Sequence, residues 1–526
     1  MPDGARVSRR DRAAPRPALV FHVEHPRGNA RLQKQRDPLR YHVRETNPKG
    51  ALMNQPELNA KVDSYLQEHW EEMVADIRML VSIPSTEDLS QAAPGAPWGP
   101  GPRAALDAVL DRAAEMGLTT HDVDGYLGFA DLPGASETQI GIIGHMDVVP
   151  AGPGWTFEPF DVTRKDGYLI GRGTIDDKGP SVVALHAVKF WAEQAAEQGR
   201  PLPYTIRFLF GANEETGMGD VAYYQKHYAD PAFLFTPDAD FPVGYGEKGN
   251  YNGLLTSANI PPDEAVVMEF EGGMAVNAVP GVAHAVVRAD ACALPATERI
   301  AVSPAGPGLA RLDALGKGAH ASTPEDGVNA IGLIVDYLLE HDLCCPAERA
   351  FLELDQRLLS CTDGSGLGIA CEDDDFGALT AIGGTITLQD GRLRQTMDSR
   401  FPTTITADEI TARVASLAES VGCAFECTRV MPTFLVDPRS PVIQALLDAY
   451  NEATGENARP FTMGGGTYAR HFACAASFGP EKPWEEKPDW VGEMHGPDEG
   501  ASEALLQQAF RIYALTIGKL MRLDLE

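Results

Sequence analysis

From Pro56 onward the apolar residues Val62, Leu66, Met73, Ile77 and Leu80 stand three, four or seven positions apart. That spacing predicts an amphipathic helix, and Pro84 stops it. A second helical run covers 104–116, with Gly117 placed to end it. Short apolar runs then alternate with helical ones: strand at 139–144, helix at 181–196, strand at 204–210, helix at 221–227, strand at 233–236. Alternation of this kind predicts a doubly wound α/β sheet, mixed but mostly parallel and flanked by helices. Near Asn250 the texture changes. Period-two stretches such as 283–289 and a helix over 330–341 predict a smaller α+β insert at 250–431. The first pattern returns near Pro432, with helices over 440–453 and 501–521, so 53–249 and 432–526 form two parts of one domain around the insert.

Residues 1–52 follow no such pattern. They carry 12 Lys and Arg against 5 Asp and Glu, net +7, so the other 474 residues carry −38 of the chain's −31. Rich in Pro and Arg, this segment reads as a disordered basic extension. A binding arm or a transit peptide are alternatives, the latter ill suited by its acids and prolines. The favoured reading places the natural start at Met53 and makes the preceding residues an upstream extension.

A chain of 526 residues is long enough for two or three domains with substantial cores. Its net charge of −31 argues against nucleic acid or an anionic membrane as partner. No secretory signal or apolar run of 18 residues is seen. The eight cysteines, Cys292, Cys344, Cys345, Cys361, Cys371, Cys423, Cys427 and Cys474, include no Cys-x-x-Cys pair. They read as reduced thiols of a cytoplasmic protein, so any metal site here must use oxygen and nitrogen ligands.

Such ligands recur at strand ends. The 139–144 strand runs into His145-Met146-Asp147, whose two polar residues point the same way and suit an imidazole ligand oriented by a carboxylate. The loop from Gly171 to Pro180 sets Asp176 and Asp177 side by side among glycines, just before a helix. The 204–210 strand leads to Glu214-Glu215, and the 233–236 strand to Asp238. His495, in a loop ahead of the last helix, is placed to add a second nitrogen. Singly, each has a plain structural explanation: a satisfied His–Asp pair, a helix N-cap, a solvated helix start. Together they point to a metal site. The run Gly464-Gly465-Gly466-Thr467-Tyr468 exposes backbone N–H groups to an anion but departs from the phosphate-loop pattern, which argues against a nucleotide. The acidic run 372–375 lacks the ligand spacing of an EF-hand and reads as a solvated turn.

The motifs GHMDVVP, GRGTIDDKGP, ANEETG, TPDADFP, GAHASTP, GGGTYAR and MHGPDE, in this order across 53–526, resemble those of the PepV-type and Sapep-type bacterial dipeptidases. These belong to the large family of co-catalytic metal aminoacylases and carboxypeptidases. The resemblance implies a catalytic domain formed by 53–249 and 432–526, with 250–431 as its lid. It implies two divalent metal ions, Zn2+ or Mn2+, bridged by Asp176, with His145 and Asp238 completing one ion's ligands and Glu215 and His495 the other's. Glu214 resembles the general base, Asp147 the partner of His145, and His320 the oxyanion donor of the lid. Asn277, Arg400 and the loop residues Gly465, Gly466 and Thr467 resemble substrate-binding positions, Arg400 clamping the substrate carboxylate. The implied activity is hydrolysis of dipeptides with a free N-terminus by a monomer, since a large lid takes the place of a partner subunit. An N-acyl amino acid deacylase using the same metals is the alternative. A catalytically dead binder is a third reading, and Glu214 argues against it because a pure binder needs no base.

Overall fold

The computed structural model of the chain describes residues 53–525, so the expected basic extension at 1–52 lies outside the described residues. The helix Gln55–Val81 starts where the Asn54 side chain accepts from the Glu57 N–H, with Pro56 in its first turn. It buries Val62, Leu66, Met73, Ile77 and Leu80, the stripe read from their spacing. The next helix, Pro100–Glu115, leads to a nine-stranded sheet.

Four strands at the centre of that sheet run parallel: Tyr204–Gly211, Ser136–His145, Phe233–Thr236 and Ala475–Ser477. The margins include antiparallel pairs, which makes the sheet mixed, as expected. On one side Thr119–Val123 and Leu127–Leu132 form an antiparallel hairpin that continues antiparallel onto Tyr204–Gly211. Its turn opens with Asp124-Gly125, both with positive φ (52° and 74°), and the Tyr126 N–H donates to the Val123 carbonyl at 3.0 Å. On the other side Gly244–Glu247 pairs antiparallel with Phe434–Leu435 and parallel with Phe461–Met463.

Helices cover both faces. Ile143, Leu209 and Leu234 pack with Val221, Tyr224 and Tyr468 on one. On the other, the helix Lys178–Gln198 meets the sheet at Gly144, where an added Cβ would strike Ser181 Oγ and come within 2.5 Å of Asp177 Oδ2. Behind it lie Gln55–Val81 and the last helix, Glu503–Leu520, tied by Trp191 Nε1 donating to Ala514 O at 2.8 Å.

A second sheet of eight antiparallel strands is built wholly from residues between Gly249 and Met431. Its order is Ile300–Gly306, Leu309–Leu315, Val282–Val287, Val267–Gly272, Thr380–Gln389, Arg392–Phe401, Gly249–Thr256, Ala424–Met431. The helices Ala330–Glu340, Pro346–Leu359 and Ala407–Ser420 pack on it through Ile334, Phe351 and Val414 against Leu255, Phe270 and Leu312. The acidic run forms a turn, as expected, but Asp373 is tied in: it accepts from the Phe376 and Thr403 N–H groups at 2.6 and 2.7 Å. Among the described residues no helix is long and apolar enough to cross a membrane.

Candidate metal centre

Each chemical side chain stands where an element ends. His145 is the last residue of its strand and is fully buried. Its Nδ1 donates to the backbone carbonyl of Asp147 at 2.9 Å, which turns Nε2 inward to 3.0 Å from Asp176 Oδ1 and 3.8 Å from Asp238 Oδ2. The other oxygen of Asp176 lies 2.8 Å from His495 Nε2, and Glu215 Oε2 is 3.1 Å from the same nitrogen. Asp176 therefore faces one imidazole with each oxygen. Ligating atoms of His145, Asp176 and Glu215 all lie within 4.8 Å of one another, as do those of His145, Glu214 and Asp238.

Asp147 stands beside His145 and has further partners. Its carboxylate is 3.5 Å from His145 Nδ1, and its two oxygens accept the backbone N–H groups of Glu214 and Glu215 at 3.1 and 3.2 Å. It holds the Glu-Glu turn in place, while its own main chain orients the imidazole. Asp177 stands at the N-cap position of the following helix, and its side chain ties helix to strand: its Oδ2 accepts from the His145 N–H at 3.1 Å and from Ser181 Oγ at 2.8 Å.

So many acids in one buried place cannot all ionise without cations. Burial pushes the carboxyls of Glu214 and Glu215 up and raises Asp238 to about 7, with neighbouring carboxylates adding to the effect. Asp176 goes the other way: burial works against its charge, but hydrogen bonds from His145 and His495 hold it low. His495 is raised to about 11 by its bonds to Asp176 and Glu215. His145 is raised too, because bonds to Asp147 and Asp176 overcome its burial. Two imidazole nitrogens and several carboxylate oxygens converging on so charge-dense a point are a donor set suited to divalent metal.

Beside this cluster opens a cavity of about 350 Å³ reached from both sheets. Asn277, His320, Arg400, Gly465, Gly466 and Thr467 all line it. His320 Nδ1 accepts from the Ser322 N–H at 3.2 Å, which leaves the ring proton on Nε2, free to be donated. Burial and the nearby Arg400 lower its pKa and keep it neutral. Arg400 meets Asp398 through Nε at 2.8 Å and Nη2 at 3.2 Å, so its fork is already engaged. Thr467 is likewise turned inward, its hydroxyl donating to Glu247 at 2.7 Å and its N–H at 3.2 Å. Four methionines, Met218, Met431, Met463 and Met494, supply a pliant apolar wall.

Several supporting residues escaped the sequence reading. Arg172 pairs with Glu499 and also donates to the carbonyls of His495 and Gly496 at 3.1 Å, fixing the loop that carries His495. Glu499, raised to about 7 by burial and by Asp176, accepts the Gly173 N–H at 2.8 Å. Lys178, buried and lowered to about 7, donates to the carbonyls of Leu80 and Ile83 at 2.9 and 2.8 Å. Tyr468 donates to Asp220 at 2.5 Å, and Asp220 accepts the Ala212 N–H at 2.8 Å. Arg172 and Glu499 lie inside the GRGTIDDKGP and MHGPDE motifs. Burial of an Arg and a Glu was the missing signal, and only the fold reveals it.

A parallel-centred sheet with acids and imidazoles gathered at its strand ends, under a second sheet that closes the cavity, has the architecture of a co-catalytic metallohydrolase. Residues 141–519 match the model of peptidase family M20/M25/M40, and the chain belongs to that family. It is 30% identical over 465 residues to the Bacillus subtilis (strain 168) protein named Putative dipeptidase YtjP, covering 86% of this chain and 98% of that one. It is 32% identical over 428 residues to a Staphylococcus epidermidis protein named Putative dipeptidase, covering 78% and 90%. In fold it is similar to human carnosine dipeptidase 1, with a TM-score of 0.52 at 15% identity over 88% of this chain and 99% of that one.

Proposed function

We propose that the protein is a metal-dependent dipeptidase acting on dipeptides with a free N-terminus, with 53–249 and 432–526 as its catalytic domain and 250–431 as its lid. The observation that carries this reading is Asp176 facing His145 with one oxygen and His495 with the other, while Glu214 lines the adjoining cavity. His145, Asp176 and Asp238 would hold one divalent ion, and Asp176, Glu215 and His495 the second. Zinc and manganese both suit this set of nitrogen and oxygen donors. When bound, such ions polarise the scissile carbonyl and make water acidic enough to be deprotonated near neutral pH.

The chain's own groups do the rest. Glu214 takes the proton of the attacking water and returns it to the leaving amine. His320, neutral with its proton on Nε2, donates to the oxyanion as it develops. Arg400 and Asn277 meet the substrate from the lid, and the N–H groups of Gly465 and Gly466 lie along its path. Thr467 acts by shaping that loop through Glu247. The methionine wall accepts apolar side chains of varied shape.

We read the protein as a monomer, because the lobe that supplies Asn277, His320 and Arg400 belongs to the same chain as the cluster. We place it in the cytoplasm, a reading supported by eight cysteines that form no disulfide among the described residues. The test offers metal-loaded protein Ala-Ala, a β-alanyl dipeptide, and N-acetyl and N-succinyl amino acids. Hydrolysis of the free dipeptides is expected, and preference for the blocked substrates would overturn the assignment in favour of a deacylase.

A further inference from the structure

Three guanidinium groups line the cavity beside the cluster, and they are not equivalent. Arg400 is held by Asp398 and donates to Gly464 O at 3.2 Å. Arg470 is held by Glu247 at 2.7 Å and donates to Lys248 O at 2.8 Å. Arg429 is exposed, and among the described residues its guanidinium donates only to Met431 Sδ, at 3.3 Å, with no carboxylate beside it.

The strand register turns Arg429 toward the cavity. Asn250 pairs with both Arg400 and Met431, and Asn252 with both Asp398 and Arg429. Residues opposite each other or two apart share one face of a sheet, so Arg400 and Arg429 project from the same face. Their strands are separated by the strand of Asn250, which puts them roughly 10 Å apart. Between them, Asn250 Oδ1 is buried without a partner among the described residues. The other charged groups lining the cavity are the acids Asp176, Glu214, Glu215, Asp238 and Asp240 and the imidazoles His320 and His495. An anionic end of a substrate is repelled by the acids and drawn to the unpaired cation.

We propose that Arg429 anchors a carboxylate of the substrate's C-terminal residue, as a second cation beyond Arg400. This rests on the dipeptidase reading of the site. The carboxylate has two possible sources, the chain terminus or an acidic side chain, and three substrates separate them: Ala-Ala, Ala-Ala amide and Ala-Asp amide. In Arg429→Ala, the kcat/KM of Ala-Ala relative to Ala-Ala amide falls about tenfold, through KM, if the terminus is the partner. The ratio of Ala-Asp amide to Ala-Ala amide falls instead if the side chain is. Arg429→Lys retains most of the preference, and Arg429→Glu abolishes it. Because each ratio is taken within one variant, a loss of folded protein cancels. Equal losses on all three substrates, or unchanged ratios in all variants, would overturn the proposal. Wild-type turnover of Ala-Ala tests the dipeptidase reading separately. Should blocked substrates be preferred, the same acid-to-amide ratio measured on N-acetyl alanine still decides the role of Arg429.

Discussion

Asp147 takes two backbone N–H groups with its carboxylate and orients His145 with its carbonyl. Replacing it by Asn keeps the size but turns an amide NH2 toward a backbone donor, so Glu214 and Glu215 lose their fixed turn. Asp147→Asn is expected to lower kcat by roughly 10- to 100-fold, as loss of a group that orients metal ligands does, with a matching fall in metal content by elemental analysis. Glu214→Gln separates base from ligand. Its kcat is expected to drop by roughly 10²- to 10⁴-fold while metal content stays at the wild-type level. Activity that survives with metal bound would rule Glu214 out as the base.

At the scale of elements, the strand carrying His145 and the helix following Asp177 meet so closely at Gly144 that no Cβ fits between them. Gly144→Ala is expected to cost about 1–3 kcal/mol of stability, read from the denaturant midpoint, and to lower activity because the helix start carries Asp176 and Asp177. Beside the eight-stranded sheet, the helix Pro346–Leu359 buries Asp355 with neither carboxylate oxygen partnered among the described residues. Burial raises its pKa well above the usual carboxylate value. A raised folded-state value makes the neutral form the compatible one, so its contribution is favourable in acid and is lost as pH rises through the folded pKa. Asp355→Asn is expected to remove that dependence, making the mutant gain on the wild type in thermal melts as pH is raised from about 4. The helices Pro346–Leu359 and Ala407–Ser420 were not anticipated from periodicity. For the second, the capping box of Thr406 with Glu409 was the local sign.

Across the whole molecule, Glu72 joins three helices, lying 2.6 Å from Arg112 and 2.9 Å from Lys189. Burial would raise its pKa, but hydrogen bonds from His69, Lys189 and Arg112 bring it down to about 2. A depressed value means stability that is present above the unfolded pKa of 4.5 and is lost as pH falls through about 2. Glu72→Gln is expected to lower the neutral region of a stability–pH curve and to flatten its acid limb, so that variant and wild type converge as pH falls toward about 2. Chelation of the metal-loaded protein is expected to abolish activity and lower Tm, since ions bound to the folded state at 100 times their Kd contribute about 2.7 kcal/mol. Restoring Zn2+ or Mn2+ should return both, and unchanged activity after exhaustive chelation would sink the metal reading.

The order of helices and central strands, and the placing of His145, Glu214, Glu215 and Asp238 just beyond strand ends, were legible in the sequence. Those features depend on local periodicity and on which residue follows a strand. The antiparallel margin was missed although Asp124-Gly125 announced its turn, because flanking strands as polar as Thr119–Val123 carry little apolar signal. What Asp147 holds, how Asp398 and Glu247 engage Arg400 and Thr467, and why, among the described residues, Arg429 alone of the cavity's three guanidiniums lacks an acid were decided only by the tertiary structure. Each depends on partners brought together by packing and strand register, and a hydrogen-bonding group's partner is chosen by distance in space rather than by position along the chain.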